Sequence, residues 1–299
     1  MSGRPSDVEL RARLALGTVQ FGLAYGVTNL SDKVPHDEVC EILRAGLNSG
    51  IRLLDTAVDY GDSENVLGTA GVSEWDVVSK LPALPDHVED IRAWVGEQIT
   101  GSLARLNITR LKGMLLHRPA QLLGPAGPAL YAALRDEKEQ GRISSAGISI
   151  YDPTELDALA GRFDFDIVQA PYNLFDRRIS TSGWLNRLAD LGVSVHTRSA
   201  YLQGLLLVDA SDRPRWTHKY RAQFSAYDKW ITVNHIDRAA ACLGFCLNNP
   251  LIAEVIIGVQ NFAQLQRAVD AATKEVPLAP DTLSCADIDL IDPRKWVHP

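Results

Sequence analysis

Residues 51–68 read I-R-L-L-D-T-A-V-D-Y-G-D-S-E-N-V-L-G. A short apolar run ends at Asp55, and a loop that carries Tyr60 follows it. Ser63 is a candidate helix N-cap, with Glu64 in the first helical turn, where a carboxylate suits the helix dipole. The pattern predicts a strand, a loop and a helix, with Asp55 at the carboxyl end of the strand. In an α/β barrel, this end of the strands carries the catalytic residues.

The same alternation of a short apolar run with a helical pattern continues on both sides of this stretch. Helical patterns lie at about 37–49, 88–106, 130–140, 153–159, 184–191, 235–247 and 262–272. Eight strands that alternate with helices predict a parallel sheet, and eight such units closing on themselves form a (β/α)8 TIM barrel. Besides the run that ends at Asp55, the predicted strands are Leu14–Gly17, Val77–Lys80, Gly113–His117, Ser145–Ser149, Ile167–Ala170, Val193–Thr197 and Glu254–Ile257.

The chain is predicted to form a single domain over residues 1–299, because no segment has the composition of a linker. A long excursion without a strand pattern follows the seventh strand, at about 199–230, and loops of that length are usually functional or mobile. An open doubly wound sheet is the alternative architecture. It is disfavoured because the G-x-G-x-x-G signature expected after its first strand is absent.

Composition narrows the class of protein. A hydrophobic content of 46% and a charged content of 22% are typical of a globular protein with a core. The net charge of -7 and the lack of a basic run argue against a nucleic-acid surface. The polar start is unlike a signal peptide, and no apolar run approaches the roughly 20 residues of a membrane helix. We therefore expect a cytoplasmic protein without nucleic-acid or membrane partners.

The four cysteines do not form a recognisable metal or disulfide motif, because the sequence contains no C-x-x-C pair. Cys242 and Cys246 lie one helical turn apart, which is typical of packing within a core. No metal site is predicted.

Four polar residues are predicted to meet at one rim of the barrel. Asp55, Lys80 and His117 end three successive strands, and Tyr60 lies on the loop after the first of them. A tyrosine, with an ordinary pKa of about 10, delivers a proton readily only if its pKa is lowered, and a neighbouring ammonium does this. Asp55 would keep a buried Lys80 protonated, and His117 would orient the reacting oxygen. The set predicts a proton donor for a carbonyl oxygen with an electrostatic stabiliser beside it.

The same residues are compatible with other chemistry. Lys80 could form a Schiff base, as strand-end lysines of barrel aldolases do, although that mechanism would not require Tyr60 or Asp55. A metal hydrolase is disfavoured because the sequence contains neither H-x-H nor H-E-x-x-H. Each residue also has an ordinary structural alternative, as a solvated lysine, a capping histidine or a packing tyrosine.

Five segments resemble the aldo-keto reductases: D-T-A-V-D-Y-G-D-S-E-N-V-L-G, V-V-S-K-L, L-L-H-R-P, G-R-I-S-S-A-G-I-S and V-Q-A-P-Y-N. They come in order at the predicted strands, and the resemblance extends from the first strand to about Ala272. It implies a (β/α)8 barrel that uses a nicotinamide cofactor without a Rossmann domain and transfers hydride to an aldehyde or ketone. By motif match, Tyr60 is the acid, Lys80 lowers its pKa, Asp55 pairs with Lys80, and His117 orients the carbonyl.

The resemblance also implies a set of cofactor contacts. Arg198 stands where many members stack an aromatic ring on the nicotinamide, and a guanidinium can also stack on a ring. Ile150 replaces the asparagine that usually follows the carboxamide-binding serine, so one polar contact is missing. The other matched positions are Gly17, Thr18 and Val19 near the nicotinamide ribose, Ser149 and Gln169 at the carboxamide, and Ser199, Gln203 and Gly204 across the pyrophosphate.

The segment I-I-G-V-Q-N-F-A-Q-L-Q-R-A resembles the adenosine-phosphate site of the family. NADP-preferring members often have Lys or Arg early in this segment and Glu-Asn late. Here the early positions are Gly258, Gln260, Asn261 and Gln264, and Arg267 is the only nearby cation. Backbone N–H groups at a helix start can still bind phosphate. The family favours NADP(H), and NAD(H) is the competing cofactor.

Tyr25, Tyr60 and His117 are predicted to line the substrate pocket. The loop G-T-V-Q-F-G-L-A-Y-G-V-T-N resembles short bacterial members associated with sugar or cell-surface metabolism, so the expected substrate is a small, sugar-like carbonyl compound. Two alternative functions stay open: a Schiff-base lyase that uses Lys80, and a cofactor-binding regulatory barrel with little turnover. The sequence does not determine the oligomeric state or the direction of the reaction.

Overall fold

The fold is a closed barrel of eight parallel strands in sequence order, with the eighth strand paired to the first. The computed structural model describes residues 5–26 and 32–296. The predicted TIM barrel is confirmed, and every predicted strand end lies within one residue of the observed one. The strands are β1 (Leu14–Gly17), β2 (Leu53–Asp55), β3 (Asp76–Leu81), β4 (Gly113–Leu116), β5 (Ala146–Ser149), β6 (Ile167–Pro171), β7 (Ser194–Arg198) and β8 (Glu254–Gly258).

Helices surround the barrel and contribute short segments to its ends. They are α1 (Asp7–Ala12), α2 (Val19–Gly22), α3 (His36–Asn48), α4 (Ser63–Ala70), α5 (Ile91–Leu106), α6 (Gly127–Glu139), α7 (Thr154–Leu159), α8 (Arg178–Thr181), α9 (Trp184–Asp190), α10 (Arg221–Val233), α11 (Arg238–Leu247), α12 (Phe262–Ala272) and α13 (Ile288–Ile291).

Two helices begin three residues later than predicted because aspartates cap them. The Asp90 side chain accepts a hydrogen bond from the third residue of α5, so that helix begins at Ile91 rather than at residue 88. Asp237 caps α11 in the same way, and this helix begins at Arg238 rather than at residue 235.

The proposed N-cap at Ser63 is wrong. Asp62 occupies the N-cap position, without a side-chain capping bond, and Ser63 is the first residue of α4. Its hydroxyl is needed elsewhere, since Ser63 Oγ donates to the Thr18 carbonyl oxygen at 2.9 Å. This hydrogen bond ties the start of α4 to the loop after β1.

An apolar layer inside the barrel supports the polar residues above it. Side chains alternate between the two faces of a strand, so residues two positions beyond an inward-facing residue also face inward. The positions two residues further along four of these strands are Asp55, Lys80, His117 and Gln169. The layer consists of Ala15, Leu53, Val78, Leu115, Ile167 and Ile256.

The second half of the excursion at 199–230 is helical. After a series of turns it forms the 3-10 helix Arg215–Tyr220 and then α10, which extends to Val233. Phe224, Tyr227 and Ile231 of α10 pack in a second hydrophobic cluster together with residues of the C-terminal segment, such as Trp296. Much of the excursion therefore has a packing role.

The part of the chain that the structure describes contains neither a membrane-spanning helix nor a group of side chains that could hold a metal ion. Within residues 5–26 and 32–296, no helix is both long enough and apolar enough to span a membrane. In the same ranges, no three His, Cys, Asp or Glu side chains are grouped so that they could hold a metal ion. Cys242 and Cys246 are buried, unbridged residues of the core.

Candidate active site

A buried ion pair lies at the carboxyl ends of β2 and β3. Lys80 Nζ donates to Asp55 Oδ1 at 2.6 Å and to the Thr56 carbonyl oxygen at 2.9 Å. Lys80 is fully buried, and Asp55 is almost so. The third neighbour of Lys80 Nζ is the Tyr60 hydroxyl at 3.4 Å. The pairing expected from the sequence is therefore present, and it places an ammonium beside the phenol.

The imidazole of His117 stands next to the phenol of Tyr60. The two ring centroids are 5.9 Å apart, and the planes meet at 81°, an edge-on arrangement. The His117 side chain is 13% exposed, and Tyr60 is half-buried. A carbonyl oxygen at this point would have two donors within reach, the phenol and the imidazole.

The loop that carries Tyr60 packs closely against α2. A Cβ on Gly22 would overlap the Tyr60 carbonyl oxygen, so only glycine fits there. Gly61 has a φ of 57°, the left-handed conformation that glycine adopts without strain. Gly22 thus allows α2 to approach the Tyr60 backbone closely, and Gly61 allows the turn directly after Tyr60.

The pKa of Tyr60 differs from the prediction. Burial and then the Asp55 charge raise it well above its usual value, and the Arg198 charge opposes them. Lys80 was expected to lower it, but its charge is already paired with Asp55 at 2.6 Å and its hydrogen bond to the phenol is long. Tyr60 therefore holds its proton at neutral pH.

His117 is neutral at physiological pH. Burial, followed by the charges of Lys80, Arg118 and Arg198, lowers its pKa to about 3. Its Nδ1 is buried without a hydrogen-bond partner in the described part of the chain, although Asp59 Oδ2 lies 3.5 Å away. A neutral imidazole carries one N–H, so His117 can donate a single hydrogen bond to a substrate oxygen.

Gln169 joins the predicted carboxamide site to the ion pair. Its Nε2 donates to Asp55 Oδ2 at 2.6 Å, and its Oε1 accepts from Ser149 Oγ at 3.1 Å. Gln169 keeps a second N–H that can donate, and the Ser149 hydroxyl oxygen keeps a lone pair that can accept. The two side chains can therefore still bind the oxygen and the nitrogen of a primary amide. Its link to Asp55 was missed in the sequence, where only its position two residues after Ile167 hints at an inward-facing side chain.

Three predicted ribose contacts lie at the end of β1. Gly17 is in register with both Asp55 and Gly258, so three strand ends meet there. Thr18 donates from its N and Oγ1 to the Asp55 carbonyl oxygen, at 3.0 and 3.1 Å, and Val19 begins α2. Thr18 therefore positions the backbone of Asp55.

The Arg198 guanidinium already has partners within the chain. Its Cζ lies 4.2 Å from the centre of the Tyr151 ring, and its Nη2 donates to the Ile150 carbonyl oxygen at 3.0 Å. Arg294, near the C-terminus, lies 3.7 Å from the centre of the same ring. Arg198 ends β7 and its charge affects His117, so it is a cationic part of the site wall.

The loop after β7 is strained and touches the loop after β1. Ser199, Leu202 and Gln203 have φ values of 62°, 46° and 55°, and such conformations are concentrated at functional sites. Gly204 continues the run at 91°. Gln203 Nε2 donates to the Tyr25 hydroxyl at 2.6 Å, which places Tyr25 at the mouth of the site. Residues 27–29 of the predicted substrate loop lie outside the described residues.

The remaining predicted cofactor residues surround the start of α12, just after β8. Asn261 is its N-cap and accepts from Gln264 N at 2.9 Å, while Gln264 Oε1 accepts from Gln260 N at 2.9 Å. Arg267 lies in the next turn and is exposed. The structure thus brings Ser149 and Gln169 together with a tetrad that consists of Asp55, Tyr60, Lys80 and His117. It places the α12 residues at a separate strand end.

Comparisons with known proteins agree with this geometry. The aldo/keto reductase family profile matches residues 13–287. The chain is 27% identical over 308 residues to a D-threo-aldose 1-dehydrogenase from a Pseudomonas species, covering 89% of this chain and 92% of that one. It is 25% identical over 293 residues to a 6-dehydroglucose reductase from Novosphingobium aromaticivorans, covering 91% of this chain and 92% of that one.

A solved structure shares the fold. The holo form of an aldo-keto reductase from Bacillus halodurans superposes with a TM-score of 0.72 at 21% identity, covering 91% of this chain and 89% of that one. The family match spans all eight strands of the barrel, including β2, β3 and β4, which carry the tetrad at or just after their ends. The chain belongs to the aldo/keto reductase family, whose members are oxidoreductases that use nicotinamide cofactors.

Proposed function

We propose that this protein reduces a small aldehyde or ketone to the alcohol with NAD(P)H. The observation that carries the proposal is the Lys80–Asp55 ion pair, buried beside the Tyr60 hydroxyl with His117 at the edge of the phenol ring. The hydride would come from a reduced nicotinamide whose carboxamide is held by Ser149 and Gln169.

In this proposal Tyr60 protonates the substrate oxygen. Its raised pKa keeps the proton on the phenol until negative charge develops on that oxygen. Lys80, 3.4 Å from the phenol oxygen, then stabilises the phenolate that remains. Asp55 keeps Lys80 charged against the burial that lowers the pKa of the lysine. Neutral His117 donates its one N–H to the same oxygen and orients the carbonyl.

The favoured substrate is a hydroxylated, sugar-like carbonyl compound. Two relatives are named as an aldose dehydrogenase and a dehydroglucose reductase, which supports this class. The Asp59 side chain is 45% exposed beside His117, where its carboxylate can accept a hydrogen bond from a substrate hydroxyl. Tyr25 adds a second hydroxyl at the mouth of the site.

The alternative functions are less well supported. Schiff-base chemistry needs an accessible amine, whereas Lys80 is fully buried and bound to Asp55. A regulatory barrel with little turnover would not need a complete proton-donating tetrad. The cytoplasmic location and the absence of nucleic-acid partners stay predictions.

The proposal is tested by titrating the protein with NADH and NADPH separately, followed by a panel of aldehydes and aldoses. Nicotinamide fluorescence reports binding, and absorbance reports oxidation of the cofactor. Binding followed by aldehyde-dependent oxidation is the expected result. Binding without turnover across the panel would favour the regulatory barrel, and no binding of either cofactor would refute a nicotinamide-dependent enzyme.

A further inference from the structure

The N-terminus of α12 already holds an anion supplied by the chain itself. The Phe262 N–H, at the first position of the helix, donates to Glu38 Oε1 at 2.5 Å. Glu38 belongs to α3, and the two residues are 224 positions apart in the sequence. The carboxylate is half-buried, so α3 places it against the positive end of the α12 dipole.

Neighbouring backbone donors are also occupied. The Asn261 side chain accepts from Gln264 N, and Gln264 Oε1 accepts from Gln260 N. Together with Phe262, three N–H groups around the helix start therefore have an acceptor within the chain. A helix start that binds a phosphate usually offers these groups to the ligand.

The position of this carboxylate bears on nucleotide binding. In TIM barrels, phosphate groups often bind at the loops after the seventh and eighth strands and at the start of a following helix. Here α12 begins four residues after β8 ends at Gly258. A carboxylate can accept a hydrogen bond from a ribose 2′-hydroxyl, whereas a 2′-phosphate is usually held by an arginine.

We propose that Glu38 makes this protein prefer NAD(H) over NADP(H), because its carboxylate accepts from the ribose hydroxyl and repels a 2′-phosphate. This inference rests on the proposed nicotinamide-dependent function and reverses the order of preference expected from the family. Asp37 adds a second negative charge to the first turn of α3. The positively charged Arg267 lies in the second turn of α12 and is solvent-exposed.

The test compares dissociation constants for NADH and NADPH, measured by nicotinamide fluorescence in the absence of substrate. The native protein should bind NADH about tenfold or more tightly than NADPH, since like charges at a binding site strongly disfavour the wrong partner. Glu38→Gln keeps an acceptor and removes the charge, so it should tighten NADPH binding and reduce that preference roughly fivefold or more. Glu41→Gln, an exposed residue of the same helix, makes the same charge change and should leave the preference unaltered.

Two results would overturn the inference. One is a native protein that binds NADPH as tightly as NADH, and the other is an unchanged preference in Glu38→Gln. A preference that shifts equally in Glu41→Gln would assign the effect to net charge and also count against Glu38. If the native protein bound neither cofactor, the proposed function would fail first, which distinguishes the two failures.

Discussion

Replacing Lys80 with methionine tests whether its charge serves the stability of the fold, the chemistry, or both. The change removes the ammonium and its three hydrogen-bond contacts. The buried Asp55 carboxylate then keeps Gln169 as its side-chain donor. Breaking a buried ion pair by removing one partner costs about 3–5 kcal/mol. Total stabilities are about 5–15 kcal/mol, so the variant should remain folded with a much lower midpoint in urea.

The double variant Asp55→Asn/Lys80→Met separates the two roles. Because it leaves no unpaired buried charge, its loss of stability should be smaller than the sum of the two single losses by about 2 kcal/mol or more. Turnover should stay as low as in Lys80→Met, since the ammonium beside Tyr60 is still missing. Urea unfolding followed by the fluorescence of the six tryptophans measures the stabilities.

A matched control is the exposed pair Lys112–Asp76, at 3.4 Å with both side chains about half exposed. Its double-variant cycle should show a coupling of about 0–1 kcal/mol. Additive losses at Lys80 and Asp55 would refute the reasoning, as would a double variant that regains turnover together with stability.

Further predictions concern Glu254 and Asp59. Burial raises the pKa of Glu254 to about 8, whereas the unfolded chain ionises this carboxyl near pH 4.5. The free energy of unfolding therefore falls as the pH rises from 4.5 to 8, because deprotonation favours the unfolded chain in this window. Glu254→Gln should raise the free energy of unfolding at pH 7 by about 3 kcal/mol and change it little at pH 4.5. Equal changes in the free energy of unfolding at the two pH values would contradict this. Asp59→Asn should lower kcat/KM for a hydroxyaldehyde about tenfold relative to the matching deoxy aldehyde, and Asp62→Asn, an exposed neighbour, should leave that ratio unchanged. An unchanged ratio in Asp59→Asn would remove Asp59 from substrate recognition.

The strands and the tetrad were readable from the sequence because both depend on local pattern. An apolar run that ends in a polar residue marks a strand end, and parallel strands place such ends at one rim. Asp55, Lys80 and His117 therefore lie together as predicted, each two residues beyond a residue of the inner apolar layer.

Other features depend on contacts between distant parts of the chain. Glu38 reaches α12 across 224 positions, and Gln169 reaches Asp55 across 114, so no local pattern reveals either contact. The direction of the Tyr60 pKa follows from burial, which outweighs an adjacent ammonium that is already paired. Arg198 packs on Tyr151 instead of remaining free, an arrangement that motif matching does not reveal.

The most direct test of the central claim, that Tyr60 donates the proton, is the turnover of Tyr60→Phe. This variant keeps the ring that packs against His117 and loses only the hydroxyl 3.4 Å from Lys80. We predict that kcat falls by about 10²–10⁴-fold, while the dissociation constant of the preferred cofactor stays the same. Full turnover in Tyr60→Phe would contradict the account.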